Sequence, residues 1–134
     1  MPENLSESMT AKIAFLFAAA AGGLSVALGA FGAHGLRGRV EDRLLETFQT
    51  AVHYQMFHSL VLLLVSFLLL EWGKLLSLEI AVYAFIAGIL LFSGSLYGLV
   101  LTELKWLGPI TPVGGLCFIA GWISVFVAGI QKIG

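Results

Sequence analysis

Four stretches without a charged residue dominate the hydrophobic pattern of the chain. They cover residues 13–33, 47–70, 80–101 and 106–130. Each holds about 20 or more mostly apolar residues, enough for a helix to cross the hydrocarbon layer of a membrane. Because a backbone in lipid must satisfy its own hydrogen bonds, the pattern predicts an all-α polytopic membrane protein with an up-and-down bundle of four transmembrane helices. We expect the spans at about residues 13–34, 48–70, 79–102 and 111–131.

The segment after the first span carries an amphipathic pattern. Apolar or small residues recur every three or four positions from Leu36 to Gln55, and the charged residues fall largely between them. A helix unbroken from Val40 to Leu70 would be about 46 Å long at 1.5 Å per residue, longer than the roughly 30 Å hydrocarbon core. We therefore expect a short amphipathic interfacial segment, or a helical extension, at about residues 38–47.

Composition agrees with a membrane protein of one domain, residues 1–134. The hydrophobic fraction is 59%, the charged fraction 11% and the mean hydropathy +0.98, whereas soluble domains are about one-quarter charged. The net charge of −1 excludes a basic surface for nucleic acid. The single cysteine, Cys117, excludes an internal disulfide and a CxxC redox pair.

Small residues recur at helical spacing along three of the spans. Such stripes let membrane helices approach closely. The expected packing positions are Ala21, Ser25, Gly29 and Ala33 in the first span, Gly88, Gly94 and Gly98 in the third, and Gly114 and Gly121 in the fourth. They favour packing within the bundle; the alternative is that one stripe, the third above all, faces a second copy or a partner protein.

Polar residues inside the spans fall in one half of the membrane, on the side of the loops that join spans 1–2 and 3–4. The predicted cluster consists of His34, Tyr54, Gln55, His58, Ser93, Ser95, Tyr97 and Thr111. Two interpretations stay open: interhelical hydrogen bonds that hold the bundle together, or a pocket for a ligand. An unpaired polar side chain in lipid is costly, so we expect His58 to bond Tyr97, Ser93, Ser95 or Thr111.

Specific chemistries receive less support. On a helical wheel His53 and His58 diverge by about 140°, and no carboxylate or thiolate stands near them at ligand spacing, so we expect no metal and no haem. No acidic residue lies inside any of the four charge-free stretches, which argues against an ion-driven transporter. No nucleophile–base–acid set is present, so we expect a protein that is not an enzyme and has no cofactor.

Four motifs, in order, resemble one family. They are GAFGAHG at residues 29–35, TAVHYQMFH at 50–58, LFSGSLY at 91–97, and ITPVGG at 110–115 with GW at 121–122. Together they are similar to the small membrane proteins typified by bacterial YgdD and eukaryotic transmembrane protein 256, a domain-of-unknown-function family. The resemblance implies a four-helix bundle in the bacterial inner membrane with cytoplasmic termini and no assigned activity. The Lys and Arg counts, three on the terminal side and four opposite, barely decide orientation.

Two functional hypotheses follow. The first is a non-enzymatic accessory protein, embedded in the lipid bilayer, that docks another membrane protein or a second copy. The alternative is a binding or transport module for a lipid headgroup, a quinone or a small amphiphile held in the polar half.

Overall fold

The structure is a computed structural model that describes the backbone of residues 5–134 and the side chains of residues 9–134. The α-helices are α1 (Leu5–Phe31), α2 (Asp42–Trp72), α3 (Leu76–Gly88), α4 (Gly94–Thr102) and α5 (Ile110–Lys132). Two π-helical turns, Gly32–Leu36 and Ile89–Ser93, follow α1 and α3, and a 3₁₀ turn covers Lys105–Leu107. Within these residues there is no strand.

The helices form four spans that are long and apolar enough to cross a membrane, which confirms the predicted fold class. The first is Met9–Leu36, the second is α2, and the fourth is Lys105–Lys132. The third, Leu76–Thr102, runs without a break through α3, its π turn and α4, and is called the third span below. Helices α1 and α2 begin earlier than the predicted spans, because polar residues outside the apolar stretch can also continue a helix.

The predicted amphipathic segment is partly the start of α2. Residues 42–47 belong to that helix, so the structure has the extension that the pattern allowed, not a separate helix. Its apolar face packs on protein, since Leu44 and Phe48 join Leu36 and Val100 in a small apolar cluster. The charged residues of the segment point outward and stay exposed.

The main apolar core lies where the first three spans meet, with α5 packed along the third span. Alanines of α1 face larger apolar side chains of α2 and α3, so the three helices approach closely. Its buried members are Ala11, Ala14, Ala18, Leu62, Val65, Leu69, Leu78, Ala81, Val82, Phe85, Ile89, Phe118 and Ala128.

Glycines fix the contact between α5 and the third span. A Cβ atom at Gly88 would overlap the ring of Phe118, and a Cβ atom at Gly121 would lie 2.6 Å from the ring of Phe85. Gly114 lies directly against the backbone of the π turn in the third span. Each of the two helices therefore packs a phenylalanine ring against a glycine of the other, where no side chain stands in the way.

Other predicted packing positions differ in their surroundings. Ala21 and Ser25 are buried on the side of α1 that packs on α2, and a Cβ atom at Gly29 would lie 3.4 Å from an α2 side chain. Gly98 lies against Leu107. A Cβ atom at Gly94 would meet open space, so this glycine packs on nothing within the described residues.

Candidate functional site

Gln55 connects three helices in the polar half. Its Nε2 donates to the carbonyl oxygen of Ala21 at 2.7 Å, and its Oε1 accepts from the Tyr97 hydroxyl at 2.6 Å. The side chain is buried. The nitrogen and the oxygen of one glutamine amide thus connect α2 to α1 and to α4.

Hydroxyl groups make the next set of contacts. The Ser93 hydroxyl donates to the carbonyl oxygen of Ala51 at 2.7 Å, and the Ser95 and Thr111 hydroxyl oxygens lie 2.6 Å apart. These bonds join the third span to α2 and to α5. In the described part of the chain no buried side-chain nitrogen or oxygen lacks a hydrogen-bond partner, as is usual for groups that serve packing.

His58 makes contacts that the sequence did not predict. Its Nδ1 lies 2.8 Å from the carbonyl oxygen of Tyr54, and its Nε2 lies 3.2 Å from the indole nitrogen of Trp122. Because a carbonyl only accepts and an indole N–H only donates, the proton belongs on Nδ1 of a neutral ring. The expected partners on the third span and at Thr111 were wrong; the partner is Trp122, near the middle of α5.

The structure also separates members of the predicted cluster. His34 is exposed on the π turn after α1. Tyr54 is 44% exposed, although its carbonyl holds His58. Of the eight predicted positions, five make hydrogen bonds between the spans, and His34 is exposed. Tyr54 and His58 lie together on α2, where His58 also accepts a hydrogen bond from Trp122 of α5.

That pair lies in a groove of about 850 Å³ between α2 and α5, called the α2–α5 groove below. Its floor includes Phe92 of the third span. The lining residues are His53, Tyr54, Phe57, His58, Phe92, Pro112, Gly115, Leu116, Phe118, Ile119 and Trp122.

Aromatic rings pack closely around the groove. The rings of His58 and Phe118 are stacked, with centroids 3.7 Å apart and planes 11° from parallel. The rings of Tyr54 and Phe92 have centroids 4.5 Å apart. Such contacts add about 0.5–1.5 kcal/mol each beyond buried area, so ring packing stabilises the inner wall of the groove.

The outer side of the groove is open. Phe57, Leu116, Ile119 and Trp122 have between 42% and 65% of their surface exposed. Since all four lie within spans, their exposed faces meet the hydrocarbon region of a bilayer. The groove therefore opens laterally, toward the lipid.

The site has little capacity for metal ligation. Among the described residues, no three His, Cys, Asp or Glu side chains are grouped so that they could hold a metal ion. Both nitrogens of His58 face protein groups. Hydrogen bonding and ring stacking are what this arrangement can supply.

Sequence reasoning missed most of the α2–α5 groove. Phe92 and Trp122 occur in the sequence motifs without an assigned role, and Phe118 belongs to none of them. His53 enters only the metal hypothesis, which its divergence from His58 on the helical wheel argues against. In the structure His53 lines the groove beside Phe57, one helical turn along. One feature of the sequence could have indicated the groove: the indole N–H of Trp122 needs a hydrogen-bond partner when it is partly buried.

Comparisons with known proteins identify relatives. A family model described as "Protein of unknown function (DUF423)" matches residues 28–115. The chain is 46% identical over 110 residues to UPF0382 membrane protein YwdK of Bacillus subtilis (strain 168), covering 82% of this chain and 89% of that protein. It is 44% identical over 111 residues to UPF0382 membrane protein SAB0533 of Staphylococcus aureus (strain bovine RF122 / ET3-1), covering 83% and 89%. No solved structure matches. The resemblance to a domain-of-unknown-function family of membrane proteins is confirmed.

Proposed function

The chain belongs to the DUF423 family of membrane proteins, and from this premise we propose that it is a non-enzymatic protein that binds an amphiphile of the bilayer in the α2–α5 groove. The observation that carries the proposal is the groove itself: about 850 Å³, walled by aromatic rings and open toward lipid. Ligand sites typically measure about 300–1,000 Å³ and are mostly apolar with a few polar groups. An amphiphile can enter such a site by lateral diffusion, without leaving the membrane.

The non-enzymatic part of the proposal rests on the state of the polar groups. Of the proton-transferring side chains that line the groove, His58 has both ring nitrogens engaged with protein groups, and the two others, His53 and Tyr54, have no nucleophile beside them among the lining residues. No serine, threonine or cysteine hydroxyl or thiol lies among the groove-lining residues. Catalysis needs a nucleophile or base within reach of the reacting atom, whereas binding needs only packing surface and hydrogen-bonding groups.

A second candidate function is an accessory role in which the protein docks another membrane protein or a second copy. Gly94 favours it, because this glycine leaves open space on the lipid-facing side of the third span where a helix can approach. On this hypothesis the polar contacts of Gln55, Ser93 and Ser95 serve only to hold the bundle.

We further propose that the protein lies in the bacterial cytoplasmic (inner) membrane with both termini in the cytoplasm. The relatives in Bacillus and Staphylococcus are named as membrane proteins, and helical spans are the form that crosses lipid bilayers of this kind.

The test is native mass spectrometry of the protein purified in mild detergent, with two matched glycine variants of α5. Gly115 lines the groove and has room for a Cβ atom, 3.9 Å from the Phe92 ring, so Gly115→Leu should place a bulky side chain in the groove and obstruct it. Gly129→Leu adds the same side chain where nothing lies within 4 Å. We expect a bound non-protein mass in the wild type and in Gly129→Leu, and its loss in Gly115→Leu. Equal retention in both variants would contradict binding in the groove.

A further inference from the structure

The α2–α5 groove contains no charged side chain. Its lining residues include no Lys, Arg, Asp or Glu. Burying an ionic group without a partner is strongly unfavourable, and phosphate recognition depends on Arg, Lys or converging donors. A molecule held inside this groove therefore carries an uncharged polar group.

Two polar side chains on α2 are available to such a molecule. The Tyr54 hydroxyl and the His53 imidazole line the groove, and neither makes a side-chain hydrogen bond to any described residue. Both lie nearer than His58 to the start of α2, by about 6–8 Å at 1.5 Å per residue. They can donate to a carbonyl oxygen or accept from a hydroxyl.

The length of the groove corresponds to one leaflet. Its α5 wall runs from Pro112, in the first turn of that helix, to Trp122 near its middle. Ten residues of helix measure about 15 Å, which is half of the roughly 30 Å hydrocarbon core. A molecule in the groove thus has its polar end toward the side of the 1–2 and 3–4 loops and its apolar part toward the membrane centre.

Exposed aromatic side chains favour a flat ligand. Phe57 and Trp122 both line the groove, with ring centroids 6.2 Å apart, and Tyr54 stands one turn before His58 on the same wall. Aromatic rings gain from offset or edge contacts with another ring. A planar head can make such contacts with several of these side chains, whereas a branched glycerol group cannot.

We infer, on the basis of the proposed function, that the α2–α5 groove binds an uncharged amphiphile with a planar, carbonyl-bearing ring, a quinone-type molecule. Its ring packs beside Tyr54, Phe57 and Trp122, and a ring carbonyl oxygen accepts a hydrogen bond from the Tyr54 hydroxyl. Its apolar chain leaves through the open side into lipid. The inference concerns binding alone and includes no electron transfer.

The test uses Trp122 as the reporter, in a protein in which Trp72→Phe and Trp106→Phe leave it as the sole tryptophan. The probe is a medium-chain benzoquinone, titrated into the detergent-purified protein while indole fluorescence is followed. We expect saturable quenching, unchanged by Gly129→Leu and abolished by Gly115→Leu. Tyr54→Phe should raise the dissociation constant about fivefold, equivalent to about 1 kcal/mol, because it removes one hydrogen bond.

Competition by other lipids distinguishes the possible failures. Addition of a short-chain diacylglycerol or a short-chain phosphatidylglycerol should leave the quinone titration unchanged. If the diacylglycerol or the phosphatidylglycerol displaces the probe, the inference of a ring-bearing ligand is wrong and amphiphile binding stands. The same conclusion follows if one of these lipids binds the wild type but not Gly115→Leu, while quenching by the quinone rises only in proportion to its concentration. If no lipid and no quinone shows a difference between wild type and Gly115→Leu, the proposed function fails as well. An unchanged quinone titration in Tyr54→Phe would overturn the assigned hydrogen bond.

Discussion

Gly114 and Gly115 are neighbours on α5 with opposite surroundings, and the same substitution to alanine should therefore have opposite effects. A Cβ atom at Gly114 would overlap the backbone nitrogen of Phe92 and lie 2.7 Å from its Cα atom. A Cβ atom at Gly115 would lie 3.9 Å from the nearest atom of the Phe92 ring, an ordinary van der Waals distance. Only the first contact involves a backbone, which cannot turn aside as a side chain can.

The magnitudes follow from these distances. Replacing a helical glycine by alanine stabilises a helix by about 1 kcal/mol, and Gly115→Ala should show most of that gain. In Gly114→Ala the same gain is offset by overpacking, which costs about 1–3 kcal/mol. Because the obstruction is backbone, the upper value applies, and the net loss is about 2 kcal/mol. The two variants should differ by about 3 kcal/mol in the free energy of unfolding.

Thermal unfolding in one detergent, followed by circular dichroism, measures this difference. Equal helical content and equal elution volume of the two folded variants provide the control for misfolding. If Gly114→Ala melts at or above the temperature of Gly115→Ala, α5 does not approach the π turn of the third span as closely as described, and the reasoning is refuted.

Two further predictions concern His58 and topology. Substituting His58→Gln should largely preserve the melting temperature, since the amide can accept a hydrogen bond from Trp122. His58→Leu should lower the free energy of unfolding by about 1 kcal/mol. Equal melting temperatures for the two variants would show that the hydrogen bond to Trp122 does not contribute to stability. Cysteines placed at Val40 and Leu75 of a cysteine-free variant should be labelled by an impermeant reagent from opposite sides of the membrane, with Leu75 cytoplasmic; labelling from the same side would contradict four spans.

The four spans could be predicted because the cost of burying charge in lipid leaves long charge-free stretches that are visible in any single sequence. The polar positions could be predicted for the same reason. Their pairing could not, since periodicity gives the face of one helix and not the neighbour that it meets. Gln55 was expected to lie in the polar half, but nothing in the pattern indicates that its amide reaches Ala21 on one side and Tyr97 on the other.

The π turn at Ile89–Ser93 explains a further part of the difference between the helix packing predicted from the sequence and the packing in the structure. An i→i+5 turn adds a residue, so every side chain after it is rotated by about 100° relative to a regular helix. A regular helical wheel places Gly98 about 80° from Gly88, and the added residue changes that angle by about 100°. In the structure Gly88 packs on Phe118, within α5, and Gly98 on Leu107, which lies before α5. Such turns have no reliable signature in hydrophobic periodicity.

The reciprocal glycine contacts between α5 and the third span bear on how the α2–α5 groove can change shape. Gly88 receives Phe118 and Gly121 receives Phe85, so a sliding movement of α5 would break contacts in both directions at once. Collective helix movements take microseconds to milliseconds, whereas exposed side chains change rotamer in picoseconds to nanoseconds. The α5 wall of the groove is therefore fixed against the third span, and rotation of exposed side chains such as Trp122 is the faster movement available to it. On the proposed function, a molecule of the bilayer would then reach the groove without any sliding of α5 against the third span.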